Sequence, residues 1–168
     1  MIIRLERPED VPAIRIVNER AFGSSSEADI VDALRRNGKA TISLVAEDEG
    51  RVIGHILFSP VTVETGEREL AGLGLAPVAV LPEFQNRGVG SSLVEQGIER
   101  CREAGHSFVV VLGHPHYYPR FGFTPASRFG IKCEYDVADE NFMAMELREG
   151  ALQNQAGMAR YQPEFNEV

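Results

Sequence analysis

Tryptophan is absent from this chain of 168 residues, and cysteine occurs twice. Cys101 continues a helical apolar pattern and Cys133 an alternating one, so both are predicted to be thiols in the core. A disulfide or metal pair between them is the alternative, but two cysteines without a short spacing give it little support. Scarce cysteine is typical of a reducing compartment, and the prediction is therefore a cytoplasmic location.

Long apolar runs and a surplus of basic residues are also missing. The run Phe108 to Leu112 is far too short to cross a membrane, and the N-terminal stretch MIIRLERPED lacks the apolar region of a signal peptide. Lys and Arg number 17 against 25 Asp and Glu, which gives a formal charge of −8. A negative chain is poorly suited to neutralising phosphates along a nucleic acid. We therefore expect neither a membrane nor a nucleic acid as a partner.

The composition is that of a folded protein, with 43% hydrophobic and 25% charged residues. The length predicts one domain, which we place at residues 1–148. Residues 149–168 contain glycine and proline and no clear element, so they are predicted to be a C-terminal extension of the same domain.

Apolar spacing predicts an alternation of strands and helices. A short strand at 2–5 is followed by a helix that Pro8 opens and by a second helix that Gly38 ends. TISLVAE and RVIGHILFSPVTV, separated by a turn cluster, predict an antiparallel hairpin. Residues 73–80 predict a strand in which Pro77 indicates a bulge or a frayed side. The remaining predictions are a helix at 88–104, a buried strand at 108–112, a helical turn in PHYYPRF, and closing strands in GIKCEYDV and FMAMEL.

The stretch QNRGVGSS, residues 85–92, marks the change from a strand to a helix. The first amides of a helix have no intrahelical partner, and the helix dipole places partial positive charge there, so this end attracts anions. Gly88 and Gly90 keep side chains away from such an anion, and Arg87 adds a positive charge. The pattern therefore predicts a pyrophosphate site, although two glycines can also simply form a tight turn.

Two common phosphate motifs do not fit this turn. A P-loop requires Gly-Lys followed by Ser or Thr, which is absent, and the dinucleotide fingerprint requires a small residue where Leu93 stands. Ser91 and Ser92 also lack the Gly-x-Ser-x-Gly context of a hydrolase nucleophile. What remains is Gln85-x-x-Gly88-x-Gly90 between a strand and a helix.

This motif resembles the acyl-CoA-binding motif of the GNAT superfamily of N-acyltransferases. YYPRFGF, residues 117–123, resembles the later Tyr-x-x-x-Gly-Phe element of that superfamily, and the order of elements from Ile2 to Leu147 is similar as well. The resemblance implies an α/β fold whose central mixed sheet has about seven strands, splays between the parallel fourth and fifth strands, and carries helices on both faces.

The resemblance also implies a site. Acetyl-CoA would be the co-substrate, with its pantetheine arm along the backbone of Val78, Ala79 and Val80. The cofactor-binding turn would comprise Gln85, Arg87, Gly88, Val89, Gly90 and Ser91. An amide of the fourth strand would polarise the thioester carbonyl. Tyr118 would donate a proton to the departing thiolate, while Tyr117 would pack elsewhere.

Several other residues are given structural interpretations. His114 and His116 flank a proline and lack a third ligand, so no metal is expected. His55 is predicted to be a strand histidine with satisfied hydrogen bonds, and Glu83 a solvated surface carboxylate. Tyr117, Phe121 and Phe123 are predicted to be core aromatics. Residues 73–80 contain no carboxylate, although many members of the superfamily carry a base on this strand, so the general base stays open, with water relayed by backbone or by a histidine such as His114 as one alternative.

The predicted function is direct transfer of an acetyl group from acetyl-CoA to a primary amine on a small molecule or peptide. A CoA-binding sensor or interaction domain without turnover is the alternative. The acceptor and the oligomeric state stay open, a homodimer being one alternative.

Overall fold

The computed structural model describes residues 1–166. Its strands are β1 (Ile2–Leu5), β2 (Ile42–Asp48), β3 (Arg51–Glu64), β4 (Glu69–Val80), β5 (Phe108–Leu112), β6 (Thr124–Pro125), β7 (Ile131–Cys133), β8 (Phe142–Glu146) and β9 (Gly157–Arg160). The α-helices are α1 (Val11–Phe22), α2 (Ser26–Arg36) and α3 (Val89–Glu103). Short 3₁₀ helices lie at Pro8–Asp10, Pro82–Phe84, Tyr118–Phe121, Ala126–Phe129, Asp139–Asn141 and Pro163–Asn166.

Hydrogen bonds order the strands β1-β2-β3-β4-β5-β8-β6, and β9 pairs with β3 and β7. β4 and β5 are parallel, with Leu73 opposite Val109 and Gly74 opposite Val110. The other described pairs are antiparallel, except for the parallel pair of β7 and β9. The predicted mixed sheet with parallel fourth and fifth strands is confirmed, and very short strands bring its number to nine. Pro77 lies inside β4 and does not end it.

Contacts divide the chain into two compact units. The first unit contains residues 1–59, residues 76–100 and the chain from Pro163, and the second contains residues 60–75 and 101–162. Both β3 and β4 contribute residues to each unit. Among residues 1–166, no helix combines the length and the apolar character needed to cross a membrane.

The first unit has helices on the two faces of β3. Leu57 packs in a buried cluster with Ile14 of α1 and with Val31 and Leu34 of α2. On the other face, a methyl group added to Gly54 would contact Leu93 Cδ1 of α3 at 3.0 Å. Alternate residues of a strand point to opposite faces of the sheet, so β3 packs against α1 and α2 on one face and against α3 on the other.

His55 occupies the same face of β3 as Leu57 and is fully buried. Its Nε2 lies 2.9 Å from Ser43 Oγ, and its Nδ1 lies 3.2 Å from Asn18 Nδ2. Ser43 in turn donates to Glu6 at 2.7 Å, and Arg35 binds both oxygens of Glu6. The prediction of a satisfied strand histidine is confirmed.

The second unit contains the buried strand β5, which lies between β4 and β8 in the strand order. Residues 130–137 were predicted to form one strand, but β7 begins at Ile131 and ends at Cys133. The prediction that the tail has no element is also wrong, because Val63 in β3 pairs with Ala159 in β9. Residues 157–160 thereby become part of the sheet.

The two cysteines differ in burial. Cys101 is buried and Cys133 is half-buried, and both are free thiols. The core prediction is therefore confirmed for Cys101 and wrong for Cys133, whose thiol accepts a hydrogen bond from the Tyr135 amide at 3.4 Å. The alternative of a disulfide does not occur.

Candidate functional site

The turn between β4 and α3 has an unusual backbone. Asn86 and Gly88 have left-handed φ angles of 63° and 83°, and α3 begins at Val89. A β-carbon on Gly88 would meet no atom within 4 Å, so glycine is needed here for its φ angle and not for space. The helical ladder opens with the Ser92 amide donating to the Gly88 carbonyl at 3.0 Å. By position, the amides of Val89 and Gly90 precede any intrahelical acceptor.

The predicted cofactor residues of the first unit lie in one continuous segment. Ala79 is buried, whereas Val78 and Val80 are half-buried at the end of β4. Gln85 donates from Nε2 to the Val80 carbonyl at 2.9 Å, which ties the turn to the end of the strand. Ser91 lies in the first turn of α3. The geometry thus gives Gln85 an additional role, holding the turn in place.

Val89, in contrast, directs its side chain inward. The side chain is buried, and its Cγ1 would lie 3.2 Å from a methyl group on Gly54 of β3. Only its backbone therefore faces the turn. This inward packing fixes the start of α3 against the sheet.

Glu83 lies exposed on the surface, as predicted, and its carboxylate is also paired with two arginines. Arg20 donates to both of its oxygens at 2.8 Å, and Arg51 donates to one of them at 3.2 Å. These bonds, chiefly the pair from Arg20, lower the pKa of Glu83 to about 2. The sequence did not reveal this pairing because Arg20 and Arg51 are remote in sequence from the turn.

Tyr118 opens the 3₁₀ helix Tyr118–Phe121 in the second unit, as the prediction of a helical turn in this segment anticipated. Tyr118 is 8% exposed as a residue, and its ring meets the rings of Tyr117 and Phe123 edge-on, with centroids at 5.0 and 5.8 Å. Burial raises the pKa of Tyr118 to about 12. Its hydroxyl is therefore protonated at neutral pH and able to donate.

Tyr117 was expected to be the packed ring of the pair, but Tyr118 is the more buried of the two. Tyr117 is half-buried, with the Arg120 guanidinium 4.4 Å from its ring centroid, while Tyr118 is the more deeply packed ring. Phe123 is buried, as predicted for a core aromatic, and Phe121 is half-buried. The core prediction is therefore wrong for Tyr117 and Phe121.

The Tyr118 ring lies so close to Gly113 that a residue with a β-carbon would not fit at this position. A β-carbon on Gly113 would clash with Tyr118 Cε2 and would lie 2.8 Å from Cδ2. The Gly113 amide donates to the Asn141 carbonyl at 2.9 Å, which fixes the backbone at this point. Sequence reasoning missed Gly113 because Tyr118 approaches it through the chain reversal at residues 114–117.

A cavity of about 390 Å³ opens beside Gly113. Its lining comprises Leu112, Gly113, His114, Val137, Ala138 and Asn141. The walls are mostly apolar, and His114 adds an imidazole to the lining. Within residues 1–166, no three His, Cys, Asp or Glu side chains come together as metal ligands would. Sequence reasoning did not foresee that residues 137–141 and the end of β5 would line one cavity.

Comparison with known proteins identifies the family. The model of the acetyltransferase (GNAT) domain matches residues 2–126. The uncharacterized N-acetyltransferase YhbS of Escherichia coli K12 is 40% identical over 167 residues, which is 99% of both chains.

Solved structures agree. A crystal structure of Escherichia coli YhbS in complex with CoA has a TM-score of 0.92 and 37% identity, covering 99% of this chain and 92% of that one. A GNAT acetyltransferase from Brucella melitensis in complex with acetyl-CoA has a TM-score of 0.81 and 38% identity, covering 98% and 97%. The chain therefore belongs to the GNAT family of N-acetyltransferases.

Proposed function

We propose that this protein transfers the acetyl group of acetyl-CoA directly to a primary amine. The observation that supports this most is the turn at residues 86–90, where the left-handed residues Asn86 and Gly88 flank Arg87 and lead directly into the first amides of α3. A pyrophosphate at this turn would meet backbone donors, partial positive helix charge and a guanidinium together. Similar proteins with bound CoA and acetyl-CoA support the same ligand here.

The pantetheine arm would extend from this turn along the end of β4. The Leu81 amide donates to the Ile53 carbonyl of β3 at 2.9 Å. Because successive backbone groups of a strand point to opposite sides, those of Val80 and Val78 point away from β3. We propose that the Val80 amide and the backbone groups of Val78 hydrogen-bond the amides of pantetheine like an added strand, while the Val80 carbonyl accepts from Gln85 and Ala79 contributes packing. A backbone amide of β4 would polarise the thioester carbonyl.

Tyr118 is proposed as the acid that protonates the departing thiolate. In water the transfer from a tyrosine near 10 to a thiolate near 8.5 is uphill by about 2 kcal/mol. Burial raises the pKa of Tyr118 to about 12, but a buried thiolate is destabilised in the same sense, so the gap need not widen. The proposal for this residue is supported by its place in the Tyr-x-x-x-Gly-Phe element.

The acceptor must lose a proton before it attacks. For an alkylamine with a pKa near 10.4, about 0.04% is neutral at pH 7, which corresponds to about 4.6 kcal/mol. We propose that the amine enters through the cavity beside Gly113, whose mostly apolar walls favour the neutral form. His114 in the lining is the side chain we propose to accept the proton, directly or through water.

Acetyl-CoA as co-substrate, a cytoplasmic location and a single domain with an extension at 149–168 belong to the same proposal. The pairing of β9 with β3 supports counting the extension as part of the domain. A homodimer is compatible with it and carries no part of the mechanism.

The test is to look for CoA in the purified protein and then to measure thiol release from acetyl-CoA with a panel of amines. We expect release that depends on the amine and a kcat/KM that rises between pH 6 and 9 with an alkylamine. CoA binding without release for any amine in the panel would favour the sensor alternative. A flat pH profile would contradict the deprotonation step.

A further inference from the structure

Three arginines gather around the 3₁₀ helix Pro82–Phe84, just before the glycine turn. Arg20 comes from α1, Arg51 begins β3, and Arg87 belongs to the turn itself. Arg20 and Arg51 both bind the Glu83 carboxylate, at 2.8 and 3.2 Å. We call Arg20, Arg51 and Arg87 the arginine cluster.

The ring of Phe84 holds two of these side chains. The guanidinium carbon of Arg51 lies 5.8 Å from the ring centroid and that of Arg87 lies 5.7 Å from it. Both distances are in the range of cation–π attraction. One aromatic ring therefore keeps two positive charges together that would otherwise repel.

The cluster is positive although the protein is not. Glu83 is the carboxylate that the described ion pairs give to the cluster, so these four side chains together carry two positive charges in a chain with a formal charge of −8, and Glu9 lines a cavity with Arg51. Arg51 donates one hydrogen bond to Glu83, and its side chain is 56% exposed. Arg87 contacts the Phe84 ring and has no carboxylate partner in the part of the chain that the structure describes. Donors of both residues thus remain for an anion from solvent.

The shape of guanidinium selects the class of that anion. Its planar array of donors matches phosphate oxygens in pairs, and a phosphomonoester carries more charge than a phosphodiester. Coenzyme A has one phosphomonoester, on the 3′ position of its ribose, in addition to the pyrophosphate. Arg87 belongs both to the turn proposed for the pyrophosphate and to the cluster, so one ligand could engage the two.

We propose that Arg51 and Arg87 bind the 3′-phosphate of coenzyme A. Arg20 neutralises Glu83 with two bonds, and Glu83 in turn anchors Arg51 without cancelling its charge. This subsite would let the protein distinguish coenzyme A from dephospho-CoA, which lacks only that phosphate. The inference depends on the proposed function, because it assumes that the pyrophosphate lies at the glycine turn.

The test compares the affinities of CoA and 3′-dephospho-CoA by titration calorimetry. We expect the unmodified protein to bind CoA at least about tenfold more tightly. Arg51→Gln should weaken CoA binding about five- to tenfold and leave the binding of dephospho-CoA nearly unchanged. Arg51→Lys should keep part of the preference, because it retains the charge but not the fork. Arg68→Gln, an exposed arginine in the turn before β4, is the matched control and should keep the full preference.

The possible failures differ. Equal affinities for the two ligands in the unmodified protein would overturn the subsite while leaving the proposed function intact. So would an Arg51→Gln variant that loses affinity for both ligands equally. If neither ligand binds, the proposed function fails and the subsite with it. Arg51 is exposed, so an unchanged thermal unfolding midpoint is expected and verifies that the variant is folded.

Discussion

At the scale of single residues, the proposed chemistry depends on the hydroxyl of Tyr118. Replacing Tyr118 by Phe removes the hydroxyl and keeps the packed ring. General acids contribute about 10² to 10⁴ in rate, and a thiolate is already a fair leaving group, so we expect kcat to fall by about 10 to 10² with CoA affinity nearly unchanged. Steady-state kinetics with calorimetric CoA binding measures both.

Tyr117→Phe is the natural control, because this neighbouring ring contacts Tyr118 and is less buried. It should keep full turnover. Loss of turnover in Tyr117→Phe but not in Tyr118→Phe would mean that Tyr117, and not Tyr118, is the acid. No loss in either variant would mean that solvent supplies the proton.

Gly113 should set the position of that hydroxyl. A methyl group there clashes with the Tyr118 ring, so Gly113→Ala must displace the ring. We expect a fall in kcat similar to that of Tyr118→Phe, and little further fall when Gly113→Ala is added to Tyr118→Phe, since the hydroxyl is then already gone. Kinetics of the two single variants and the double variant provide the measurement.

Gly66→Ala serves as the comparison, because a methyl group at Gly66 would meet no atom within 4 Å. It should be kinetically silent. If the two losses in kcat add in the Gly113→Ala, Tyr118→Phe double variant, Gly113 does not act through the Tyr118 hydroxyl.

At the scale of elements, the start of α3 is the proposed site for the pyrophosphate. Gly90→Asp places a negative charge beside Arg87 and the first amides of the helix, whereas Gly90→Asn adds nearly the same bulk without the charge. We expect Gly90→Asp to weaken CoA binding by more than about 1.4 kcal/mol, a factor of about ten, and to weaken it more than Gly90→Asn does. Calorimetry at low and high salt measures the difference.

The electrostatic part of that loss should shrink as salt rises, because exposed charges are screened. Equal effects of Asp and Asn would attribute the loss to bulk alone. Unchanged CoA affinity in a folded Gly90→Asp protein would place the pyrophosphate elsewhere.

At the scale of the whole molecule, the buried His55 should make folding stability depend on pH. Burial, with a smaller effect of Arg35, lowers its pKa to about 4, although Glu6 opposes this shift. An unfolded histidine titrates near 6.5, so between pH 6.5 and 4 the unfolded chain binds more protons and folding is penalised. The contribution of the neutral His55 to the free energy of unfolding should be fully present above pH 6.5. As the pH falls toward 4, the free energy of unfolding should decrease by up to about 3 kcal/mol.

Urea unfolding at pH 7 and pH 5 measures this slope. His55→Gln removes the titrating group, so the free energy of unfolding should change less between pH 7 and pH 5 than in the unmodified protein. This holds whatever the substitution does to stability at pH 7. His116→Gln, at an exposed histidine, should keep the slope of the unmodified protein. Equal stability of the unmodified protein at the two pH values would contradict the assignment to His55.

Local patterns in the sequence determined most of the elements. The turn at 85–90, α3 and β5 follow from residues within a few positions of each other, because helix ends, glycine turns and apolar runs are short-range signals. The same is true of the motif that identified the family. The prediction of β7 failed where alternation continued past Cys133 but pairing did not.

Only the tertiary structure decided what lies against what. Arg51 reaches Glu83 and Phe84 because β3 and the turn after β4 meet in the first unit. β9 joins β3 across a long stretch of chain. The cavity beside Gly113 likewise collects residues from the end of β5 and from 137–141. Such contacts depend on strand register and packing, which no short window of sequence encodes, whereas the left-handed turn at Gly88 needs only its own residues.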